Sequence, residues 1–188
     1  NVIYPPVNVS KFKIGNNRAK PSSNRTQSSS HLYGGGLYGH LKPETGNYFL
    51  MVGRLVSYKR FDLAVRTFNL NGLKLKIVGI GPEFNKLKGI ANKNIEFMGL
   101  VSDEQLAELY ANAKACIFPQ EEDFGIVPLE SMASGRPVIA YRAGGALETI
   151  VENKTGVFFD DQNTDSFQGA IEKFHNLDFN PEICRKQA

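Results

Sequence analysis

Residues 48–188 predict a doubly wound α/β domain: a parallel sheet of about six strands with helices packed on both faces. Two observations carry this prediction. Short apolar runs alternate strictly with amphipathic stretches, and most of the runs end in a turn residue. Strict alternation requires right-handed crossovers, and these cover both faces of the sheet.

Residues 1–47 stand apart. They hold Lys11, Lys13, Arg18, Lys20, Arg25 and Lys42 against only Glu44, so the net charge of +3 conceals a mildly acidic remainder. A basic tail on an acidic body excludes a nucleic-acid surface as the main reading. Within this segment, residues 13–47 are rich in Ser, Asn and Gly, and an irregular low-complexity stretch is expected there. From Tyr48 the strands read in order as YFLMVG (48–53), LKLKIVG (73–79), NIEFMG (94–99), KACIFP (114–119), PVIAY (137–141) and GVFFD (156–160). Helices are expected over 59–70, 82–91, 102–112, 126–135, 145–152 and 164–176, with Ser102 and Gln105 spaced as a capping box. Apolar residues make up 41% of the 188, which suits one domain with a two-sided core. Two cysteines rule out a disulfide framework or a Cys-based zinc site and fit a reducing compartment. No stretch reaches the ~20 apolar residues of a membrane span. A cytoplasmic location is therefore expected.

Ligands of such sheets sit at the carboxyl ends of the strands. KACIFPQ delivers Glu121, Glu122 and Asp123 to that edge, and GIVPLESMASG starts a helix there with Glu130 about one turn in. An ionised carboxylate accepts two hydroxyl protons, so Glu122 and Glu130 suit the vicinal hydroxyls of a ribose or a hexose. Backbone N–H groups of Phe124, Gly125 and Ile126 at the helix start favour a sugar oxygen or a phosphate. The plain alternative is that Glu122 and Asp123 only favour the helix dipole and Glu130 is solvated, and spacing alone does not separate the two. A second cluster follows the first strand: GRLVSYKRF brings Arg54, Lys59 and Arg60 to the same edge, where two cations fit a diphosphate. Arg60 reads more simply as a surface residue. VGIGPEF holds Gly79 and Gly81 but has Phe84 where a dinucleotide fingerprint needs its third glycine, so it reads as a tight turn that lets a base or a ribose approach the backbone. There is no Asp-x-Asp pair, and His31, His40 and His175 are scattered, which leaves a metal site and a histidine-based nucleophile without support.

Taken together, GRLVSYKRFDLAV, VGIGPE, GLVSDEQLAELYANA, EEDFGIVPLESMASGRPVIAYRAGGALETI and TGVFF resemble the carboxyl-terminal, donor-binding domain of retaining glycosyltransferases of the GT-B fold. In this glycogen-synthase-like, group 1 family the Glu-x7-Glu element is diagnostic, and the likeness covers about residues 48–176. YKRFDLAV and EEDFGIVPLE look most like bacterial mannosyltransferases that use GDP-mannose, as in lipopolysaccharide synthesis. The resemblance implies a Rossmann-like half of a GT-B fold, with residues 1–47 as interdomain connection and 48–188 as the nucleotide-sugar domain. It implies that Glu130 holds the ribose hydroxyls, that Glu122 holds those of the transferred sugar, and that Arg54 and Lys59 beside Gly53 neutralise the diphosphate. Gly79, Gly81, Val101 and Asp103 would meet the nucleoside, while Phe124, Gly125, Ile126 and Val127 line the sugar and phosphate path.

Transfer would need no metal and no cofactor beyond the nucleotide-sugar donor. Catalysis would rest on Glu122, Arg54 and Lys59. The partners implied are a glycan or lipid-linked acceptor, an amino-terminal acceptor-binding domain that this chain lacks, and a peripheral membrane association of the full-length enzyme. Without that domain the chain is expected to transfer little or nothing. The competing functions are a non-catalytic nucleotide-sugar-binding module and an NAD-dependent oxidoreductase domain, the latter opposed by the missing third glycine.

Overall fold

A six-stranded parallel sheet organises the computed structural model of the chain, which describes residues 9–12 and 46–188. The strands are β1 (Phe49–Val52), β2 (Leu75–Val78), β3 (Ile95–Gly99), β4 (Cys116–Phe118), β5 (Val138–Tyr141) and β6 (Gly156–Phe159), in spatial order β3-β2-β1-β4-β5-β6. The helices are α1 (Phe61–Asn71), α2 (Phe84–Ile90), α3 (Asp103–Asn112), α4 (Ile126–Ala133), α5 (Ala146–Thr149), α6 (Thr164–His175) and α7 (Pro181–Gln187), with 3-10 turns at Val9–Lys11 and Ser57–Lys59. The doubly wound α/β class expected from the sequence is what forms. The irregular segment expected over residues 13–47 lies, except for its last two residues, outside the described residues.

Period-two alternation shows why both faces need cover. Phe49 and Met51 of β1, Ile117 of β4, Ile139 of β5 and Val157 and Phe159 of β6 enter one core with Phe61, Phe68, Phe167 and Phe174 of α1 and α6. Their neighbours Leu50, Cys116, Phe118, Val138, Ala140 and Phe158 point the other way, toward Tyr110, Met132 and Cys184 of α3, α4 and α7. Both sets are apolar, so a one-sided sheet would leave a full layer in water.

The two halves of the sheet meet at β1 and β4, where chain direction reverses its march across the sheet. These neighbours share a single register pair, Leu50 opposite Cys116, whereas β1 and β2 share four. Doubly wound sheets bind their ligands outside the carboxyl ends of the strands at such a switch point. Two helix boundaries differ from expectation. The stretch expected as a helix from residue 59 begins instead as a 3-10 turn, and Arg60 takes left-handed backbone (φ 54°) before α1 starts at Phe61. The helix expected over 145–152 shrinks to the four residues of α5. The α7 helix was not anticipated, although Asn180, whose side chain accepts from the Glu182 N–H, and Pro181 in its first turn are a start signal. No helix among the described residues is long and apolar enough to cross a membrane.

Candidate functional site

The loop after β1 is built first, because the glycines that follow β2 fit it and no side chain could. A Cβ on Gly79, whose φ is +133°, would lie 1.9 Å from the Gly53 carbonyl oxygen, and one on Gly81 would lie 2.4 Å from that of Leu55. Hydrogen bonds from the Gly53 N–H to the Val78 carbonyl (3.0 Å) and from the Leu55 N–H to the Ile80 carbonyl (3.0 Å) zip the two loops together. Gly79 and Gly81 are thus required by the neighbouring backbone itself. The pairing extends β1 past its end and sets the base on which Arg54 and Lys59 stand.

The Ser57–Lys59 turn and the left-handed residue after it aim the Lys59 side chain back over the β1 end, where a Cβ on Gly53 would lie 3.3 Å from its Nζ. That ammonium meets Glu122 Oε1 of the β4–α4 loop at 2.9 Å, across the switch point between β1 and β4. Both side chains are mostly covered, 15% exposed for Lys59 and 22% for Glu122, so the pair is far less screened than a surface contact. Gln120, buried in the same loop, donates to Glu122 Oε1 (3.3 Å) while its own Oε1 has no partner. Gln120 is a site residue that the sequence motifs do not single out. Its place two residues past β4, at the ligand edge, was the available signal.

Gly125 takes left-handed backbone (φ 73°) at the start of α4, and a Cβ there would press to 3.0 Å from Phe118 Cζ. No side chain caps α4, and Pro128 in its first turn has no N–H. The Ile126 and Val127 end therefore presents backbone donors and the positive end of the dipole. The β5–α5 loop backs this segment closely: the Gly145 N–H donates to the Glu122 carbonyl (2.8 Å), and Cβ atoms on Gly144 or Gly145 would collide with the Glu122–Phe124 backbone.

Glu130 lies one turn further along α4. Its Oε2 accepts from the hydroxyl of Tyr110, a fully buried side chain, at 2.9 Å. Burial pushes the Glu130 carboxyl above its ordinary range, the Tyr110 hydrogen bond pulls it back, Asp103 raises it and Lys11 lowers it. Keeping an acid where folding disfavours its charge is a mark of function. Elsewhere the predicted residues are more dispersed. Asp103 is exposed and paired with Lys11 at 2.8 Å. Val101 is half-buried beside α3, whose capping box of Ser102 and Gln105 forms as expected. Arg54 is exposed and makes no ion pair among the described residues. Arg60 is held by Gln162 (2.7 Å) and Asp62 (3.4 Å), consistent with its simpler reading.

Among the described residues no three His, Cys, Asp or Glu side chains are placed to hold a metal ion. A surface cavity of about 390 Å³ between Tyr48, Lys74, Lys76, Lys93 and Glu96 opens at the opposite, amino-terminal edge of β1–β3. The carboxyl-edge rule favours the Lys59–Glu122 side of the sheet instead.

Residues 39–188 match the family model described as Glycosyl transferases group 1. The alpha-1,3/1,6-mannosyltransferase of Dictyostelium discoideum is 29% identical over 205 residues, covering 94% of this chain and 47% of that protein. A GDP-mannose-dependent alpha-(1-6)-phosphatidylinositol monomannoside mannosyltransferase of Mycobacterium tuberculosis is 33% identical over 138 residues, covering 64% of this chain and 36% of that one. The solved apo form of the lipopolysaccharide outer core galactosyltransferase WaaB superposes with a TM-score of 0.74 at 20% identity, over 100% of this chain and 50% of that one. At that identity the likeness speaks for the fold alone. The chain spans half the length or less of each of these proteins.

Proposed function

The chain belongs to the group 1 glycosyltransferases, and from that premise we propose that it supplies the donor-binding half of a retaining enzyme that moves a hexose from a nucleotide diphosphate sugar to a glycan or lipid-linked acceptor. The observation that carries this reading is the Lys59–Glu122 contact across the switch point. It sets a cation suited to phosphate against an acid suited to hydroxyls at the place where doubly wound sheets bind their ligands. Glu130, on the helix that follows, would take the ribose hydroxyls, and Glu122 those of the hexose. Lys59 and Arg54 would hold the diphosphate, Arg54 being open to solvent and not engaged in an ion pair among the described residues. The uncapped start of α4 adds backbone donors to the phosphate path.

Glycosyl transfer builds negative charge on the departing diphosphate. Fixed cations and backbone dipoles already aimed at that charge lower the barrier without reorganising, and loss of one such donor typically costs ~2.7–4 kcal/mol. Mannose carried by GDP is the donor we favour, supported by the mannosyltransferases among the relatives.

Calorimetric titration of the chain with GDP-mannose, UDP-glucose, GDP, UDP and NADH tests the reading. GDP-mannose and GDP are expected to bind and NADH to give no signal. Arg54→Ala is expected to weaken nucleotide binding, with the loss shrinking as salt rises. A chain that binds no nucleoside diphosphate, or an Arg54→Ala variant with wild-type affinity at low salt, would sink the proposal.

A further inference from the structure

Glu130 poses a problem that its own helix does not solve. A half-buried carboxylate must stay ionised and must point at its ligand, yet the first turns of α4 offer it no partner side chain. The partner comes from α3. Tyr110 is fully buried, and its hydroxyl donates to Glu130 Oε2 at 2.9 Å. A tyrosine so placed can donate but cannot swing away, provided that its ring and backbone are fixed.

They are fixed from three sides. The buried guanidinium of Arg136 donates twice to the Ala111 carbonyl, from Nε at 2.8 Å and from Nη2 at 2.5 Å, closing the carboxyl end of α3 next to Tyr110. The Tyr48 hydroxyl donates to the Leu109 carbonyl at 2.9 Å on the other side. The ring itself meets Phe12 edge-on, with centroids 5.8 Å apart and planes at 82°. Phe12 lies 34 residues before the next described residue, Gly46, yet it is only 7% exposed. Arg185 of α7 ties it down by donating to the Phe12 carbonyl at 2.6 Å and also to that of Ala133, the last residue of α4. Lys11, one residue earlier, reaches Asp103 at the start of α3.

From this arrangement we propose that Tyr110 is the positioning residue for Glu130, and that the Val9–Phe12 segment is the clamp that holds Tyr110 in place. The inference rests on the donor-binding reading for what Glu130 then does, but the contact itself does not. Among the described residues, the titratable groups facing Glu130 are Tyr110 and Asp103 of α3, Lys11 of the clamp and the buried Cys116 thiol of β4. Only Tyr110 and Lys11 favour its ionised form. The clamp therefore acts on this carboxylate through the tyrosine that Phe12 braces, while Lys11 offsets part of the opposing charge of Asp103, its ion-pair partner.

The experiment is a carboxyl 13C NMR titration of the chain, with Glu130→Gln identifying the resonance, together with binding of GDP or UDP, whichever the wild-type chain binds, and of the 2′,3′-dideoxy form of the same nucleotide. In Tyr110→Phe the Glu130 titration should move to higher pH, and the ordinary nucleotide should lose about three- to tenfold in affinity near neutral pH, the scale of a hydrogen bond to a charged group acting at one remove. The dideoxy nucleotide, which offers no ribose hydroxyls, should lose nothing. Phe12→Ala, which keeps the hydroxyl and removes the brace, should shift both readouts the same way by less. An unmoved Glu130 titration in Tyr110→Phe overturns the proposal, as does an equal loss for both nucleotides, which would report general damage. A wild-type chain that binds neither nucleotide overturns the donor reading, and the NMR arm still decides on Tyr110.

Discussion

Replacing Glu122 by alanine is expected to tighten the binding of a bare nucleoside diphosphate while weakening that of the complete nucleotide sugar. Lys59 cannot serve a diphosphate fully while it is paired with Glu122, so the ligand must compete for it. At 2.9 Å the gross attraction between the two charges is ~6 kcal/mol for an effective dielectric of about 20. Most of that is offset by desolvation and by the water that still reaches both groups, leaving a net of ~1 kcal/mol. Removing Glu122 releases that amount to the competitor, so GDP should bind about fivefold more tightly. GDP-mannose loses the acid that would hold its hexose hydroxyls, at ~1.5–3 kcal/mol for hydrogen bonds to a charged group, and should bind more weakly overall. Calorimetry with both ligands at low and at moderate salt reads the difference directly, and the gain for GDP should fade as salt rises. If Glu122→Ala binds GDP no better than wild type, Lys59 is not the group the diphosphate competes for, and the assignment of the pair is wrong.

Glu130→Gln separates stability from binding. Burial raises the folded pKa of this carboxyl, so the stability linked to it is complete below the ordinary carboxylate range and is lost as pH rises through the folded value. The glutamine variant should lack that decline, with a Tm at neutral pH equal to or above wild type, while nucleotide affinity falls about tenfold to a hundredfold. Thermal melts between pH 4 and 8 beside a titration check both halves, and a variant that loses stability on raising pH as wild type does would refute the first. Gly79→Ala should destabilise by roughly 1–3 kcal/mol from its left-handed backbone alone and by more from the 1.9 Å approach to the Gly53 carbonyl, read as a lowered urea midpoint. Gly89→Ala, in the last turn of α2 with nothing within 4 Å of its new Cβ, should instead stabilise slightly, by up to about 0.5 kcal/mol, less than the same change gives in a helix interior.

What the sequence revealed was local, and what it hid was not. All six strands lie within the stretches read from apolar runs, because burial on both faces makes β1, β4, β5 and β6 apolar throughout, while β2 and β3 admit one charge each, Lys76 and Glu96, which pair across the strands. The capping box of α3 was legible for the same reason: Ser102 and Gln105 are three residues apart and answer to each other. The α7 helix is not read although its signals are local, since Asn180 and Pro181 open a helix of only seven residues with little apolar period. The partners of the site residues could not be read. Lys59 and Glu122 are sixty-three positions apart and Tyr110 and Glu130 twenty, and each pair meets only after the crossovers have placed β1 beside β4 and α3 beside α4. Gly79 and Gly81 show the same limit from the other side. Their spacing suggests a ligand approaching the backbone, and it gives no sign that the loop after β1 also packs against them where a Cβ would stand.

The single register pair joining β1 to β4 also divides the molecule's inheritance. Every candidate phosphate cation is encoded before that seam, and both members of the Glu-x7-Glu pair after it. A chimera cut between α3 and β4 would exchange a complete set of anchors of one sign and leave the other untouched. Fragments severed there could join hydroxyl and phosphate recognition only by reassembling, which makes the seam a natural place to couple ligand capture to reconstitution of the sheet.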